Sequence, residues 1–464
     1  MKNVVIFSDG TGQRGGALFD ERRSNIYKLF RATRCGPDSA VDPAEQLAFY
    51  DPGLGTAPPG HEGSGLFGTL MRRFFNMVSQ ATGLGITRNI IDCYAAIIRL
   101  WQTGDRIFLF GFSRGAYTMR CLSTVLTLCG VPTRNKDPVP LRRNESTTHQ
   151  IAAEAVKHVY QHTESRKTFK TARQHELSLQ RDELARRFRT KYGSNDPANA
   201  SKANVYPHFI GLFDTVASLA KPIVATLLFL GAVLLLALPS WALLVWLDIH
   251  LRFWPYLAMF AVASAFTSFL LLLGTMIRFE FGLPVNKNWR PLHLIKMHIE
   301  QYETDLSNDV YRARHAISID ECRSKFPKVP WGGSYYNNPD PEGFIQLWFA
   351  GNHSDVGGSY AENESRLSDI SLQWMVNEAV KAGLKHDPTF LKLYPDPTGP
   401  QHDETKSSKI RWSKKLRAVP NDAILHPSVR ERFLAAAILD YDTMKPYRPE
   451  NLRNHDMVKD FYLQ

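Results

Sequence analysis

One stretch decides how the rest of the chain is interpreted: Arg106-Ile-Phe-Leu-Phe-Gly-Phe-Ser-Arg-Gly-Ala-Tyr-Thr-Met-Arg120. The apolar run from Ile107 to Phe110 predicts a buried strand, and the residues after Gly115 can begin a helix. The pattern Gly-x-Ser-x-Gly lies at the turn between them. A nucleophile elbow holds its serine in a strained conformation and needs small residues two positions before and after it. We therefore predict that Ser113 is a nucleophile rather than part of an ordinary glycine-rich turn.

Two later strand-like segments end in candidate partners for Ser113. Val205 to Phe213 leads into Asp214, and Phe344 to Phe349 leads into a glycine-rich loop that carries His353. A serine hydroxyl needs a base to take its proton, and the base needs an acid to fix its tautomer. The order serine, acid, histidine, with each residue on a loop after a strand, fits an α/β-hydrolase. These three residues are the predicted catalytic triad.

The first strand-like segment, Val4 to Phe7, ends in the glycine-rich loop Ser8-Asp-Gly-Thr-Gly12. The loop lacks the lysine of a P-loop and the second aspartate of an aspartate-nucleophile phosphatase. It is either a plain turn or a source of backbone N–H groups for an oxyanion beside the nucleophile. The residues predicted to line this oxyanion hole and pocket are Asp9, Gly10, Thr11, Arg114 and Asp355.

Asp355 is also the alternative acid of the triad, because it lies two residues after His353. An alternative to these catalytic and pocket roles is a metal site formed by Asp9, His353 and Asp355. Their positions show no recognisable ligand spacing. The sequence therefore predicts neither a metal nor a cofactor.

The chain of 464 residues is basic, with 56 Lys and Arg against 45 Asp and Glu. A positive balance indicates an anionic partner such as nucleic acid or a membrane surface. Much of the charge lies in residues 166–191, which form either a solvated helix face or a contact for anionic lipid headgroups. No nucleic-acid-binding module or aromatic stacking platform accompanies the charge, so no nucleic acid is predicted.

Two uncharged segments, residues 222–247 and 253–277, follow shortly after Asp214. Each exceeds the roughly 20 residues that cross a hydrocarbon core of about 30 Å. Aromatic residues near the short loop between them are typical of a membrane interface. We predict a transmembrane helical hairpin rather than two buried core helices. The predicted domains are the first part of the hydrolase with nucleophile and acid (1–220), the hairpin (221–278), and the second part with the histidine loop and C-terminal region (279–464).

The predicted hairpin would also locate the protein. Two spans return the chain to its starting side, so nucleophile and histidine stay together. Because the loop of the acid leads into the first span, the active-site edge of the sheet would face the bilayer, with a lipid ester as substrate. The flanking Lys221 and Arg278, five scattered cysteines without C-x-x-C spacing, and no signal peptide favour the cytoplasmic side. We expect a two-span membrane protein with a cytoplasmic catalytic part.

Several motifs together resemble the catalytic domain of type VI secretion phospholipase effectors and their uncharacterised bacterial and fungal relatives. The motifs are Ser8-Asp-Gly-Thr11, Ser24-Asn-Ile-Tyr27, Asp51-Pro-Gly-Leu-Gly-Thr56, Gly111-Phe-Ser-Arg-Gly-Ala-Tyr117, Phe213-Asp-Thr-Val216 and Trp348-Phe-Ala-Gly-Asn-His-Ser-Asp-Val-Gly-Gly358. The resemblance implies an α/β-hydrolase core and phospholipase-type activity carried by Ser113, Asp214 and His353. Two positions depart from the family pattern: Gly12 often corresponds to an aromatic residue, and Asn352 to a valine-like one.

The expected function is thus that of a membrane-anchored serine hydrolase, a phospholipase or lipid esterase. An acyltransferase would use the same triad with another acceptor. A catalytically inactive, membrane-tethered interaction protein would keep the fold without the chemistry. The fold expected in all three cases is a mostly parallel α/β-hydrolase-like sheet flanked by helices and interrupted by the hairpin.

Overall fold

The structure is a computed structural model. It describes residues 1–10, 22–53, 84–136, 139–163, 171–216, 237, 240–241, 244–246, 252–279, 281–284, 292–294, 306–324, 326–329, 331, 342–407 and 412–463. The strands of these ranges are β1 Asn3–Ser8, β2 Gln46–Asp51, β3 Arg106–Phe112, β4 Pro207–Phe213, β5 Ile277–Phe279, β6 Leu292–Leu294, β7 Arg312–Ser318, β8 Phe344–Phe349, β9 Ile438–Asp440 and β10 Thr443–Lys445. The α-helices are α1 Asn25–Thr33, α2 Leu84–Leu100, α3 Arg114–Cys129, α4 Glu145–Glu154, α5 Ala172–Tyr192, α6 Phe253–Met276, α7 His353–Gly357, α8 Arg366–Lys381, α9 Glu404–Ser407 and α10 Pro427–Leu434.

Six strands form one sheet in the order β2-β1-β3-β4-β7-β8, and every neighbouring pair is parallel. The prediction of a mostly parallel sheet is therefore confirmed. Because parallel strands end at the same edge, the loops after β1, β3, β4 and β8 meet there. The candidate triad residues all follow strands of this sheet, from both predicted parts of the hydrolase.

Helices cover both faces of the sheet, and strand alternation decides which side chain enters which core. On β1, Val4 and Ile6 face the core beneath α2, α3, α4 and α5, whereas Val5 and Phe7 face the core beneath α1 and α8. Successive side chains of a strand point to opposite faces, so a strand buried on both sides is apolar throughout. This explains why β1 and β3 are uninterrupted apolar runs in the sequence.

A third core joins the C-terminal region to the outer edge of the sheet. Ile319 and Trp348 pack there against Phe433, Ile438 and other residues from the last 50 positions. The edge strand β8 is also bonded by backbone: the N–H of Trp348 donates to the carbonyl of Ile424 at 3.0 Å. The C-terminal region therefore covers an edge that would otherwise be open to pairing with another chain.

The predicted transmembrane hairpin is wrong. Among the described residues, no helix is long and apolar enough to cross a membrane. Most of residues 222–247 lie outside the described residues, and 253–276 form helix α6, which leads directly into β5. Length, lack of charge and nearby aromatic residues do not by themselves make a segment the long and sufficiently apolar helix that a span requires. The expectations of a two-span membrane protein and of a bilayer-facing sheet edge fall with the hairpin.

Leu292–Leu294, which follows the predicted hairpin in the chain, is strand β6 and pairs antiparallel with β5. The basic segment 166–191 begins outside the described residues and continues into α5. There Arg181 and Arg189 are buried and donate to backbone carbonyls, so part of the charge serves the fold. Binding of anionic headgroups by this segment stays a prediction.

Candidate active site

Ser113 lies in the sharp turn between β3 and α3, with backbone angles φ 56° and ψ −120°. A non-glycine residue at positive φ is strained and persists only where the surroundings impose it. The two glycines of the motif show what imposes it. A Cβ on Gly111 would come within 2.6 Å of the Ala116 backbone, and a Cβ on Gly115 within 2.0 Å of the Ser8 carbonyl oxygen. The turn thus has the geometry of a nucleophile elbow.

Backbone hydrogen bonds join this elbow to the loop after β4. The N–H of Ser113 donates to the Phe213 carbonyl at 3.1 Å, and the N–H of Val216 donates to the Ser113 carbonyl at 3.4 Å. Asp214, between these partners, has φ 34°. The strained serine and the strained aspartate are therefore held together by their own main chains.

His353 begins helix α7, directly after β8, and reaches the same place. Its Nδ1 lies 2.6 Å from Oδ2 of Asp214, and both side chains are buried. The imidazole ring packs on Phe112, the residue before Ser113, with ring centroids 4.6 Å apart. Because Nδ1 is bonded to the carboxylate, Nε2 is the nitrogen left to accept a proton.

The Asp214 carboxylate is further bonded by Arg417, which donates to both of its oxygens. The main-chain N–H of Ser318 donates to Oδ1 at 3.0 Å. Burial alone would raise the pKa of Asp214, but the Arg417 charge and the hydrogen bond with His353 hold that pKa well below its ordinary value. Asp214 is thus a carboxylate anion over the whole physiological pH range.

Asp355, the alternative acid, has other partners. Its Oδ2 accepts from the N–H of Asn352 at 3.0 Å, closing a capping box at the start of α7. Its Oδ1 lies 2.7 Å from Nδ1 of His402, whose ring stacks on Tyr360. Asp355 therefore caps α7 and pairs with His402, whereas the bond to the His353 ring comes from Asp214.

The loop after β1 passes beside the elbow. A Cβ on Gly10 would lie 3.6 Å from the Cβ of Ser113. The N–H of Gly10 donates to Oδ1 of Asp9 at 2.7 Å. Thr11 lies outside the described residues. Arg114, the first residue of α3, is partly buried, which lowers its pKa to about 10. A role of these residues in an oxyanion hole stays a prediction.

Asp9 itself is fully buried and accepts hydrogen bonds from Ser24 at 2.5 Å and Tyr50 at 2.7 Å. Burial raises its pKa to about 6, although these bonds oppose the increase. A carboxyl whose pKa is raised by folding contributes stability at low pH and loses it as the pH rises through the folded value. Asp9 therefore destabilises the protein progressively between about pH 4 and pH 6.

We expect Asp9→Asn to remove this dependence. The free energy of unfolding of the variant minus that of wild type should be larger at pH 7 than at pH 4. The increase should be on the order of 3 kcal/mol, since one pKa unit corresponds to roughly 1.4 kcal/mol. Urea unfolding at both pH values measures it. In Tyr50→Phe, which removes a hydrogen bond to the ionised form, the loss of stability should extend to higher pH. A variant-to-wild-type difference independent of pH would contradict the assignment.

Sequence reasoning missed two groups of this site. Arg417 stands in a basic stretch of the C-terminal region, without a motif to distinguish it. Glu321 accepts a hydrogen bond from the N–H of His353 at 3.2 Å and pairs with Arg323. Only the position of Glu321, shortly after β7 ends at Ser318, could have singled it out. Within the described ranges, no group of three or more His, Cys, Asp or Glu is arranged to hold a metal ion.

Comparison with known proteins gives a family. Residues 2–378 match the family described as T6SS, phospholipase effector Tle1-like, catalytic domain. A curated relative, an uncharacterized protein of Saccharomyces cerevisiae, is 23% identical over 426 residues. The match covers 83% of this chain and 58% of the yeast protein, so this chain spans little more than half of that relative.

Two solved structures are similar over most of the chain. An uncharacterized protein from Pseudomonas aeruginosa is 16% identical with a TM-score of 0.36, over 85% of this chain and 48% of that one. The Tle1 effector bound to the VgrG spike of the type 6 secretion system is 14% identical with a TM-score of 0.35. This match covers 85% of this chain and 76% of that one.

Proposed function

Since this chain belongs to the family of Tle1-like phospholipase effector catalytic domains, we propose that it hydrolyses carboxylic ester bonds of phospholipids with Ser113, His353 and Asp214. The observation that carries the serine mechanism is the 2.6 Å contact of His353 Nδ1 with Asp214, on a ring packed against the residue before Ser113. The match of residues 2–378 to this family confirms the resemblance that the sequence motifs indicated. The phospholipid substrate is inferred from membership in it.

The proposed reaction has two halves. Nε2 of His353 takes the proton of the Ser113 hydroxyl as its oxygen attacks the ester carbonyl, and Asp214 stabilises the resulting imidazolium. The imidazolium then protonates the departing alcohol, which leaves an acyl ester on Ser113. A water molecule, deprotonated by the same nitrogen, releases the fatty acid and restores the serine.

The elbow supports this chemistry because Ser113 lies in a strained turn and its side chain caps no backbone N–H at the start of α3. At an ordinary helix start, the serine hydroxyl oxygen would accept a hydrogen bond from a backbone N–H of the first turn. Here the oxygen is left for proton transfer.

The test is release of fatty acid from vesicles of phosphatidylcholine and phosphatidylglycerol by the purified protein, followed by mass spectrometry of the products. We expect lysophospholipid and free fatty acid in equimolar amounts. Replacement of His402 by Asn, which removes a side chain bonded to Asp355 rather than to Asp214, should retain most of the rate. Phosphate-containing headgroups released without fatty acid would contradict ester hydrolysis at the acyl chain.

A further inference from the structure

We propose that Arg417 is a positioning residue for the catalytic acid: it fixes the orientation of the Asp214 carboxylate toward His353. This inference rests on the proposed function, since it assigns Asp214 as the acid. Residues 2–378 match the family, so Arg417 belongs to the C-terminal region beyond the matched segment.

The hydrogen bonds of the Asp214 carboxylate show that Arg417 restricts its rotation. The guanidinium donates to both oxygens, with Nη2 3.2 Å from Oδ2. Oδ2 is also the oxygen bonded to His353, and Oδ1 also accepts from the N–H of Ser318. A carboxylate held at both oxygens cannot rotate about its Cβ–Cγ bond without breaking several charge-assisted hydrogen bonds.

Arg417 is itself fixed by groups that do not titrate. Nη1 donates to the hydroxyl of Ser318 at 2.8 Å and to its carbonyl at 3.1 Å, and Nη2 donates to the Phe326 carbonyl at 2.9 Å. The main-chain carbonyl of Arg417 accepts from Asn451 at 3.0 Å. The arginine therefore joins the end of β7 to the C-terminal region, and its forked guanidinium group is held in one orientation. A lysine could keep the charge there but not the fork.

The charge of Arg417 has a second effect on the site. The charged and titratable groups that act on Asp214 are His353 and Arg417 by direct contact, and Lys328 and His315 at longer range. The base His353 is also faced by Glu321, which accepts from its main-chain N–H. With Arg417 present, the carboxylate is partly neutralised, so it stabilises a protonated His353 less than an unpaired carboxylate would. Removing the charge should favour the protonated, inactive form of the base at higher pH.

The experiment compares Arg417→Lys, Arg417→Gln and the control Arg432→Lys in the full chain. Arg432 is also buried and also lies in the C-terminal region, but it bonds to the carbonyls of Pro397 and Gly399. The readouts are kcat and KM for a soluble p-nitrophenyl butyrate ester from pH 5 to 9, the rate of Ser113 labelling by a fluorophosphonate, and the melting temperature. Phospholipid is not needed for any of them.

We expect kcat to decrease about 10- to 100-fold in both Arg417 variants, with KM within about twofold of wild type. The acid limb of kcat/KM should move to higher pH in Arg417→Gln and remain in place in Arg417→Lys. Labelling should slow in parallel with kcat. Arg432→Lys should change the melting temperature without changing the pH profile.

Three outcomes would overturn the inference, and each has a different meaning. If the wild type is labelled at Ser113 and the folded Arg417 variants react equally fast, Arg417 does not position the acid, and the proposed function stands. If the wild type is neither labelled nor active on the ester, the proposed function fails and this inference with it. Equal losses in the Arg417 variants and Arg432→Lys would show a structural role only.

Discussion

Replacing Ser113 by alanine is expected to abolish ester hydrolysis, with kcat lowered roughly 10⁴- to 10⁶-fold, and to eliminate labelling by fluorophosphonates. The physical reason is that the proposed acyl intermediate forms on the Ser113 hydroxyl, whereas Asp214 and His353 are bonded to each other at 2.6 Å. The protein should stay folded, because the Ser113 side chain makes no capping bond in the elbow. Active-site labelling, burst kinetics and thermal unfolding measure these effects.

The matched control for this variant is Ser123→Ala, which changes a buried serine on the same helix α3. That change should leave kcat within about twofold of wild type. A Ser113→Ala protein that is folded and still hydrolyses the ester at the wild-type rate would contradict the serine mechanism. Such a result would leave the fold and the family unaffected.

Gly115→Ala is expected to have the largest effect on stability of any single methyl group added to the elbow. Its Cβ would lie 2.0 Å from the carbonyl oxygen and 2.5 Å from the carbonyl carbon of Ser8, both backbone atoms of the interior strand β1. Neither can move without disturbing pairing of β1 with two neighbours. We expect a loss of about 3 kcal/mol or more in the free energy of unfolding, a large part of the stability of an ordinary domain.

Gly104→Ala separates this clash from the ordinary cost of replacing a glycine. Gly104 has φ 94°, and nothing lies within 4 Å of its Cβ position. Only the backbone conformation should then matter, at about 1 to 2 kcal/mol. Urea unfolding of both variants measures the difference. If Gly115→Ala were no less stable than Gly104→Ala, the close approach of α3 to β1 would not be present in solution.

The core of the fold could be predicted because its signals are local. Each parallel strand is an apolar run ended by a polar loop, and β8 was predicted over the same residues, Phe344–Phe349, that the structure shows. The elbow was predictable for a similar reason: strain at one serine requires small neighbours at fixed spacing, and Gly111 and Gly115 meet that requirement.

The errors come from criteria that ignore context. Two uncharged segments were interpreted as membrane spans, although the described residues contain no helix able to cross a membrane. Arg417 could not be identified, because its meaning depends on contacts with Asp214 and Ser318, which lie far away in the sequence. Asp214 and Asp355 both lie in loops after strands, so the sequence does not show which of them is the acid. The side-chain orientations do: Asp355 bonds to His402, and Asp214 bonds to His353.

The long separation between Asp214 and Arg417 has a consequence for the newly made protein. A ribosome adds about 5 to 20 residues per second, and 203 positions separate the two residues. The aspartate therefore emerges roughly 10 to 40 seconds before its counter-charge. During that interval the nascent chain already contains the serine elbow but lacks the bond that orients the acid. Under the proposed mechanism, the chain gains its full activity only after Arg417 has been added.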